Sequence, residues 1–257
     1  MGRIGNYEII KQISEGGFGR IYQAKHIFLD ELACIKQNKE DTDMDIQILR
    51  QEAKLLWKLD EYHSIPSAKD FFKVAKGSYA LVMSYIDGKT LDETIPKNKK
   101  MNPEDVCWIT ERLLGALHYL HYNGVIHADV KPQNVIIEPK KHDIKLIDFG
   151  LSSYMPKSIT KPLGYTEVYA APELILLKPP IPETDLYGAG VVMLTALGGD
   201  IYTKSLPKTV HKDIADFCNK LLRYDPKERP NWDKNNPLLE LSDIRQHVFG
   251  RKHVSEA

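Results

Sequence analysis

The chain has 257 residues, 42% apolar and 27% charged, with a formal net charge of zero. That composition is ordinary for a soluble globular protein, and the balanced charge argues against a nucleic-acid partner or long-range steering. The length suits one large domain or two lobes with a cleft between them.

The three cysteines, Cys34, Cys107 and Cys218, are far apart and odd in number. They match neither a disulfide framework nor zinc-ligand spacing, so buried free thiols in a reducing compartment are expected. The nine histidines form no ligand-spaced cluster. No signal peptide is visible, and Asn6 stands where a myristoylation signal needs Ser or Thr. The longest apolar run, Gly188 to Gly199, is too short to span a bilayer and reads as a buried helix. A cytoplasmic protein without a membrane span is the expectation.

In chain order, YEIIKQIS, RIYQAKHI and LACIK are short and rich in β-branched and aromatic residues, and EGGFG and FLDE separate them. They predict three strands. DTDMDIQILRQEAKLLWKL then has helical spacing at Ile48, Leu55, Leu56 and Leu59, with aspartates suited to a helix N-terminus. AKDFFKV and YALVMSYI predict a hairpin around Lys76-Gly77. After Ile86-Asp87-Gly88 helices dominate. Asn102-Pro103 is a helix start, and Val106, Ile109, Leu113, Leu117 and Leu120 continue the period until Asn123-Gly124. VIIE and IKLID read as strands, residues 151–170 as a loop without period, and the rest as a second helical block. No internal repeat, low-complexity tract or Pro/Ser linker is visible.

Three stretches carry chemistry. SEGGFGRIY, residues 14–22, is a glycine loop between strands, where backbone N–H groups can approach phosphate closely. ACIK ends a strand with Lys36, and IDFG places Asp148 after an apolar strand. Each alone has a bland reading: a flexible hairpin, a solvated lysine, a turn. Their order is specific, because Glu52 follows on a helix, HADVKPQN spans residues 127–134, and AAPE stands at 170–173. This ordered set resembles the eukaryotic-type protein kinase family over nearly the whole chain.

The resemblance implies an α+β, bilobal protein-kinase-like fold: a β-rich N-lobe (1–86) and a larger helical C-lobe (87–257), with the ATP cleft between them. It implies ATP with Mg2+, or Mn2+ in its place. Lys36 matches the lysine that holds the α- and β-phosphates, and Glu52 its helix partner. Asp129 matches the catalytic aspartate, Lys131 the cation beside the transferring phosphoryl group, and Asn134 and Asp148 the metal ligands. Thr166 matches the threonine of the substrate-binding loop. Ser14, Glu15, Gly16, Gly17, Phe18 and Gly19 would cover the phosphates. Ile21 and Cys34 would lie above adenine and Ile136 below it, with Met83 as gatekeeper and Ser84, Tyr85 and Ile86 as hinge. Phe149, His127 and Leu56 match a packed internal column, so His127 is read as a packing residue rather than a base. Asp185 would anchor the catalytic loop. Glu173 and Arg229 would form a buried ion pair, the kind whose breaking costs about 3–5 kcal/mol.

Several positions depart from the family pattern. Ser14 replaces a loop glycine, Cys34 an alanine, and Tyr165 a glycine before Thr166. The stretch from Gly190 to Arg229 is short, so the helix that often docks substrates there is expected to be reduced or absent. Ala128 stands where many members have an arginine that pairs with a loop phosphate. The domain is therefore of the non-RD type, and activity independent of loop phosphorylation is expected. Residues 151–170 still offer Ser152, Ser153, Tyr154, Ser158 and Thr160, with Lys157 and Lys161 nearby.

Lys131 two residues after Asp129 is the arrangement of serine/threonine-directed members. The leading expectation is transfer to Ser or Thr of a protein substrate, or of the chain itself. A pseudokinase scaffold that binds ATP is one alternative, opposed by the complete set of Lys36, Glu52, Asp129, Asn134 and Asp148. A small-molecule kinase of the aminoglycoside-phosphotransferase type is another, opposed by DFG, AAPE and the Glu173–Arg229 pair.

Overall fold

Alternating side chains in the first third of the chain close into one antiparallel sheet. The computed structural model describes residues 2–16, 19–59, 62–96 and 100–250. Among them the backbone clusters into two units, one of residues 1–87 with 147–150, the other of 88–146 with 151–257.

The first unit holds β1 (Arg3–Ile4), β2 (Tyr7–Gly16), β3 (Gly19–His26), β4 (Leu32–Gln37), β5 (Ala68–Ala75) and β6 (Ser78–Ser84). The order across the sheet is β1-β2-β3-β4-β6-β5. Two residues, Lys76 and Gly77, join β5 to β6, and Gly77 has φ 71°, the left-handed turn conformation that glycine adopts freely. The last strand stops at Ser84, two residues short of the apolar run that ends at Ile86.

Register decides the two faces. Ile21 pairs with Lys36, Cys34 with Met83, and Lys36 with Leu81. Period-two alternation therefore puts Ile21, Cys34, Lys36, Leu81 and Met83 on one face. Ala24, Ala33, Ile35, Ala80 and Val82 take the other, where they form an apolar cluster with Ile4 and Tyr7.

The helix of this unit, α1 (Asp43–Lys58), begins two residues after Asp41 because Thr42 caps it, its side chain accepting from the Asp45 N–H at 3.1 Å. Its buried stripe runs Ile48, Leu49, Glu52, Ala53, Leu55 and Leu56. Glu52 is a charge inside that stripe, and a charge there needs a partner.

The second unit contains β7 (Lys89–Thr90), α2 (Leu91–Thr94), α3 (Pro103–Tyr122), β8 (Val125–Ile126), β9 (Val135–Glu138), β10 (Asp143–Leu146) and β11 (Ser153–Tyr154). The helices α4 (Pro172–Ile175), α5 (Pro182–Ala196), α6 (Lys212–Leu221) and α7 (Pro237–Phe249) complete it. Asn102 caps α3 through the Glu104 N–H at 2.9 Å, with Pro103 in the first turn, and Gly124 turns the chain at φ 73°. Strand β10 ends at Leu146 rather than continuing to Asp148, which has φ 65° and cannot extend a strand. Residues 151–170, read as structureless, contribute β11, which pairs with β8. Two residues are too few to show a period.

Helix α5 is buried without a break from Thr184 to Leu194, the pattern of a core helix. It starts earlier than Gly188, at the proline-led first turn, and ends before Gly198, whose φ is 77°. Between α5 and α6 the described chain forms turns and one bridge, Asp200 with Ser205, and no helix. Among the described residues no helix is long and apolar enough to cross a membrane.

Candidate active site

The first unit assembles an ion network on its sheet face. Lys36 Nζ donates to Glu52 Oε2 at 2.7 Å and to Asp148 Oδ1 at 2.6 Å. The other Glu52 oxygen, Oε1, accepts the Phe149 backbone N–H at 3.1 Å. Strand β4, helix α1 and residues 147–150 thus meet at one ammonium group. Burial disfavours the charged lysine, but the Glu52 and Asp148 carboxylates more than offset it and hold its pKa above the usual lysine value. Burial keeps the Glu52 carboxyl above its ordinary value, against the pull of Lys36.

The glycine loop is described on both flanks. Ser14 pairs with Ile21, Glu15 with Arg20, and Gly16 with Gly19. Gly17 and Phe18 lie outside the described residues. At Gly19 an added Cβ would stand 2.5 Å from the Gln37 carbonyl oxygen, so only glycine allows this approach of β3 to β4. Ile21, Cys34, Met83 and Lys36 share the sheet face already described, and Ser84 pairs with Ala33 at the end of β6. Tyr85 and Ile86 follow as half-buried irregular chain. Burial pushes the Cys34 thiol up to about 12, so it stays a thiol at neutral pH. Phe149 and Leu56 are both buried in this unit.

The second unit builds a network around Asp129. Lys131 Nζ donates to Asp129 Oδ2 at 2.6 Å and to Thr166 Oγ1 at 2.8 Å. The Thr166 hydroxyl donates to Asp129 Oδ1 at 2.8 Å. Asn134 Nδ2 donates to the Asp129 backbone oxygen at 2.8 Å and to its Oδ2 at 3.0 Å. The Asp129 carboxylate is thus held from three sides. Ile136 is half-buried on β9 opposite Lys145.

The loop carrying Asp129 hangs from α5. Asp185 Oδ2 accepts the His127 N–H and Oδ1 the Ala128 N–H, each at 2.8 Å. Helix α5 comes this close because residue 188 is glycine. A Cβ there would meet the Val130 Cβ at 2.6 Å. Ala128 has φ 63°, a left-handed conformation that costs a non-glycine residue about 1–2 kcal/mol. The paired bonds to Asp185 hold it there. His127 is fully buried, and its Nδ1 accepts the Asp129 N–H at 3.3 Å.

Two further residues support this anchor and had no signal in the sequence. His121 Nε2 lies 2.8 Å from Asp185 Oδ2, and Trp232 Nε1 donates to His121 Nδ1 at 2.8 Å. An Nδ1 that accepts leaves the proton on Nε2, so His121 donates to Asp185. Trp232 lies 111 residues from His121 in sequence, and no periodicity connects them. Deeper in the unit, Arg229 grips Glu173 with two parallel bonds of 2.7 and 2.9 Å, and Thr184 donates to the same carboxylate at 2.8 Å.

Each unit, taken by itself, carries a hard oxygen donor of the kind a divalent cation takes. Both N–H bonds of the Asn134 amide go to Asp129, which leaves its carbonyl oxygen as a hard ligand of the kind Mg2+ takes. Asp148 offers a partly exposed carboxylate. Among the described residues no group of three or more His, Cys, Asp or Glu side chains could form a metal cage.

Comparison with known proteins gives the same reading. A family model described as "Protein kinase domain" matches residues 7–247. Serine/threonine-protein kinase TIO of Arabidopsis thaliana is 30% identical over 271 residues, covering 98% of this chain and 20% of that protein. Aurora kinase C of Mus musculus is 28% identical over 97% of this chain and 93% of its own length. Serine/threonine-protein kinase pkn3 of Myxococcus xanthus is 28% identical over 95% of this chain and 45% of its own. The chain spans about a fifth of the TIO kinase and about half of a second Arabidopsis thaliana relative, SNF1-related protein kinase catalytic subunit alpha KIN12. With the Lys36–Glu52 pair, Asp129 network and Glu173–Arg229 clamp in place, and with that family model matching most of its length, the chain belongs to the eukaryotic-type protein kinase family.

Proposed function

We propose that this chain is a serine/threonine protein kinase domain that uses ATP with Mg2+. The observation that carries the reading is the Asp129–Lys131–Thr166 triangle, with all three sides between 2.6 and 2.8 Å. Asp129 would orient an acceptor hydroxyl and take its proton. Lys131 fixes a positive charge beside that point, where negative charge grows on transferring phosphate oxygens. Thr166 ties the acceptor-binding segment to Asp129.

Lys36, kept charged by two carboxylates, would hold the α- and β-phosphates. Asn134 and Asp148 would supply the metal ligands. Ser14 to Gly19 would lie over the phosphates. Ile21, Cys34 and Ile136 would contact the adenine ring, Met83 would act as gatekeeper, and Ser84 to Ile86 would bond the ring's edge. Bound Mg-ATP would supply the phosphoryl group and much of the charge neutralisation. The acceptor would be Ser or Thr of another protein or of the chain itself.

Activity would not depend on a phosphate in residues 151–170. Ala128 supports this, since it offers no cation for such a phosphate, while its backbone is already held by Asp185.

The test is incubation with Mg-ATP and myelin basic protein, with mass-spectrometric mapping of every phosphorylated residue. Phosphoserine and phosphothreonine are expected with the parent, and a loss of about 1,000-fold or more with Asp129→Asn, of the order of a catalytic group's contribution. Full incorporation by Asp129→Asn sinks the assignment.

A further inference from the structure

Gln133 lies between Lys131 and Asn134 in sequence, in a single 3-10 turn, Pro132–Asn134. It touches neither Asp129 nor Thr166 in any hydrogen bond described above. Its Nε2 instead donates in two directions, to Asp92 Oδ1 of α2 at 3.0 Å and to the Tyr169 hydroxyl at 3.0 Å. A carboxylate only accepts, so the amide nitrogen has to face Asp92. Its carbonyl oxygen Oε1 is thereby left buried and without a partner. A buried orphan acceptor is unfavourable, and native structures retain few of them. The orientation is held against that cost by the two donor bonds.

Tyr169 is the other end of the connection. Its backbone N–H closes a turn on the Thr166 carbonyl at 2.9 Å. Its ring packs against the cluster of Ala171, Tyr187 and Val191. Asp129, Thr166 and Tyr169 line one small cavity. A shift of Tyr169 therefore moves Thr166, and Thr166 is bonded directly to Asp129 and Lys131. Helix α2 is a firm base for the other end, because Thr90 and Glu93 cap it reciprocally, at 3.3 and 3.0 Å.

We propose that Gln133 is a positioning residue, a latch from Asp92 to Tyr169 that holds the acceptor-binding segment in register with Asp129. This rests on the reading of Asp129 and Thr166 given under Proposed function. The latch acts on the protein substrate and leaves nucleotide binding alone. Its polarity runs from the amide outward, so reversing the polarity at both ends should preserve it.

The experiment compares the parent with Gln133→Glu and with Asp92→Asn/Gln133→Glu, using myelin basic protein and Mg-ATP. In the single variant a carboxylate faces Asp92, and the α2 end of the latch opens. The expected loss is about tenfold in kcat/KM for the protein substrate, about 1.4 kcal/mol, with KM for ATP and Tm unchanged. In the double variant the new amide at 92 donates to the new carboxylate at 133, which also accepts the Tyr169 hydroxyl proton. Recovery to within about threefold of the parent is expected, about 0.7 kcal/mol.

A single variant within twofold of the parent overturns the latch. So does a double variant no better than the single one, or a loss shared by KM for ATP and Tm, which would mark a structural prop. A parent that phosphorylates no protein overturns instead the functional reading beneath it.

Discussion

Ala128 shows how much can rest on one residue. It takes a left-handed backbone, its methyl group is buried, and its N–H is held by Asp185. Glycine at 128 would remove strain of about 1–2 kcal/mol, but it would lose a buried methyl worth about 0.8 kcal/mol and cost about 0.4–1 kcal/mol by loosening the unfolded chain. The gain and the two losses nearly cancel. Ala128→Gly is therefore expected to lie within about 1 kcal/mol of the parent in urea unfolding, whereas an unstrained buried alanine has only the losses. A destabilisation above about 1 kcal/mol, the sum of the lost methyl and the looser unfolded chain, would show that the left-handed conformation is not strained here. The sequence identified position 128 as unusual for its missing charge. Its backbone conformation was not legible, because φ depends on a carboxylate 57 residues away.

At the scale of elements, the segment between residues 151 and 171 is held by contacts that need no phosphate. Strand β11 pairs with β8, and the Met155 N–H donates to the Gly124 carbonyl at 2.7 Å. The Lys157 N–H donates to the Thr160 hydroxyl at 2.8 Å, closing a turn over Ser158. Thr166 and Tyr169 fix the far end. With both ends anchored, Ser158→Ala/Thr160→Ala should leave kcat/KM within a few-fold of the parent. A fall of about 100-fold, about 2.7 kcal/mol, would show that another cation reads a phosphate there. Helix α1 makes a related point. Its apolar stripe was legible from spacing, and its cap moved the start only two residues. Glu52, expected from the resemblance to pair with Lys36, sits inside that stripe as a buried charge and meets the lysine sixteen residues away on β4.

For the molecule as a whole, the three cysteines are free, and Cys107 and Cys218 are fully buried. Burial pushes both thiols from 9.0 up to about 12. The folded protein then keeps protons that the unfolded chain gives up. The stabilising contribution is complete below pH 9 and is lost as pH rises from about 9 to about 12. Each thiol adds about 1.4 kcal/mol of lost stability per pH unit within that window. Cys218→Ala is expected to flatten the fall of unfolding free energy between those limits by one proton's slope, as measured by urea titration at several pH values. An unchanged slope would mean that the thiol ionises as readily inside as outside.

Sequence by itself determined the ordered motifs, the strand and helix periods and the cap at Asn102, because these are local: a few neighbouring residues set them through backbone conformation and side-chain direction. It also brought out the family, since spacing between motifs is written along the chain. Tertiary structure alone decided which oxygen of Asp185 holds which N–H, that Trp232 sets the proton on His121, that Gln133 reaches both Asp92 and Tyr169, and that Lys36 bonds Asp148 as well as Glu52. Each of these is a contact between residues distant in the chain. Such contacts form only when packing brings the segments together, and no local period records them.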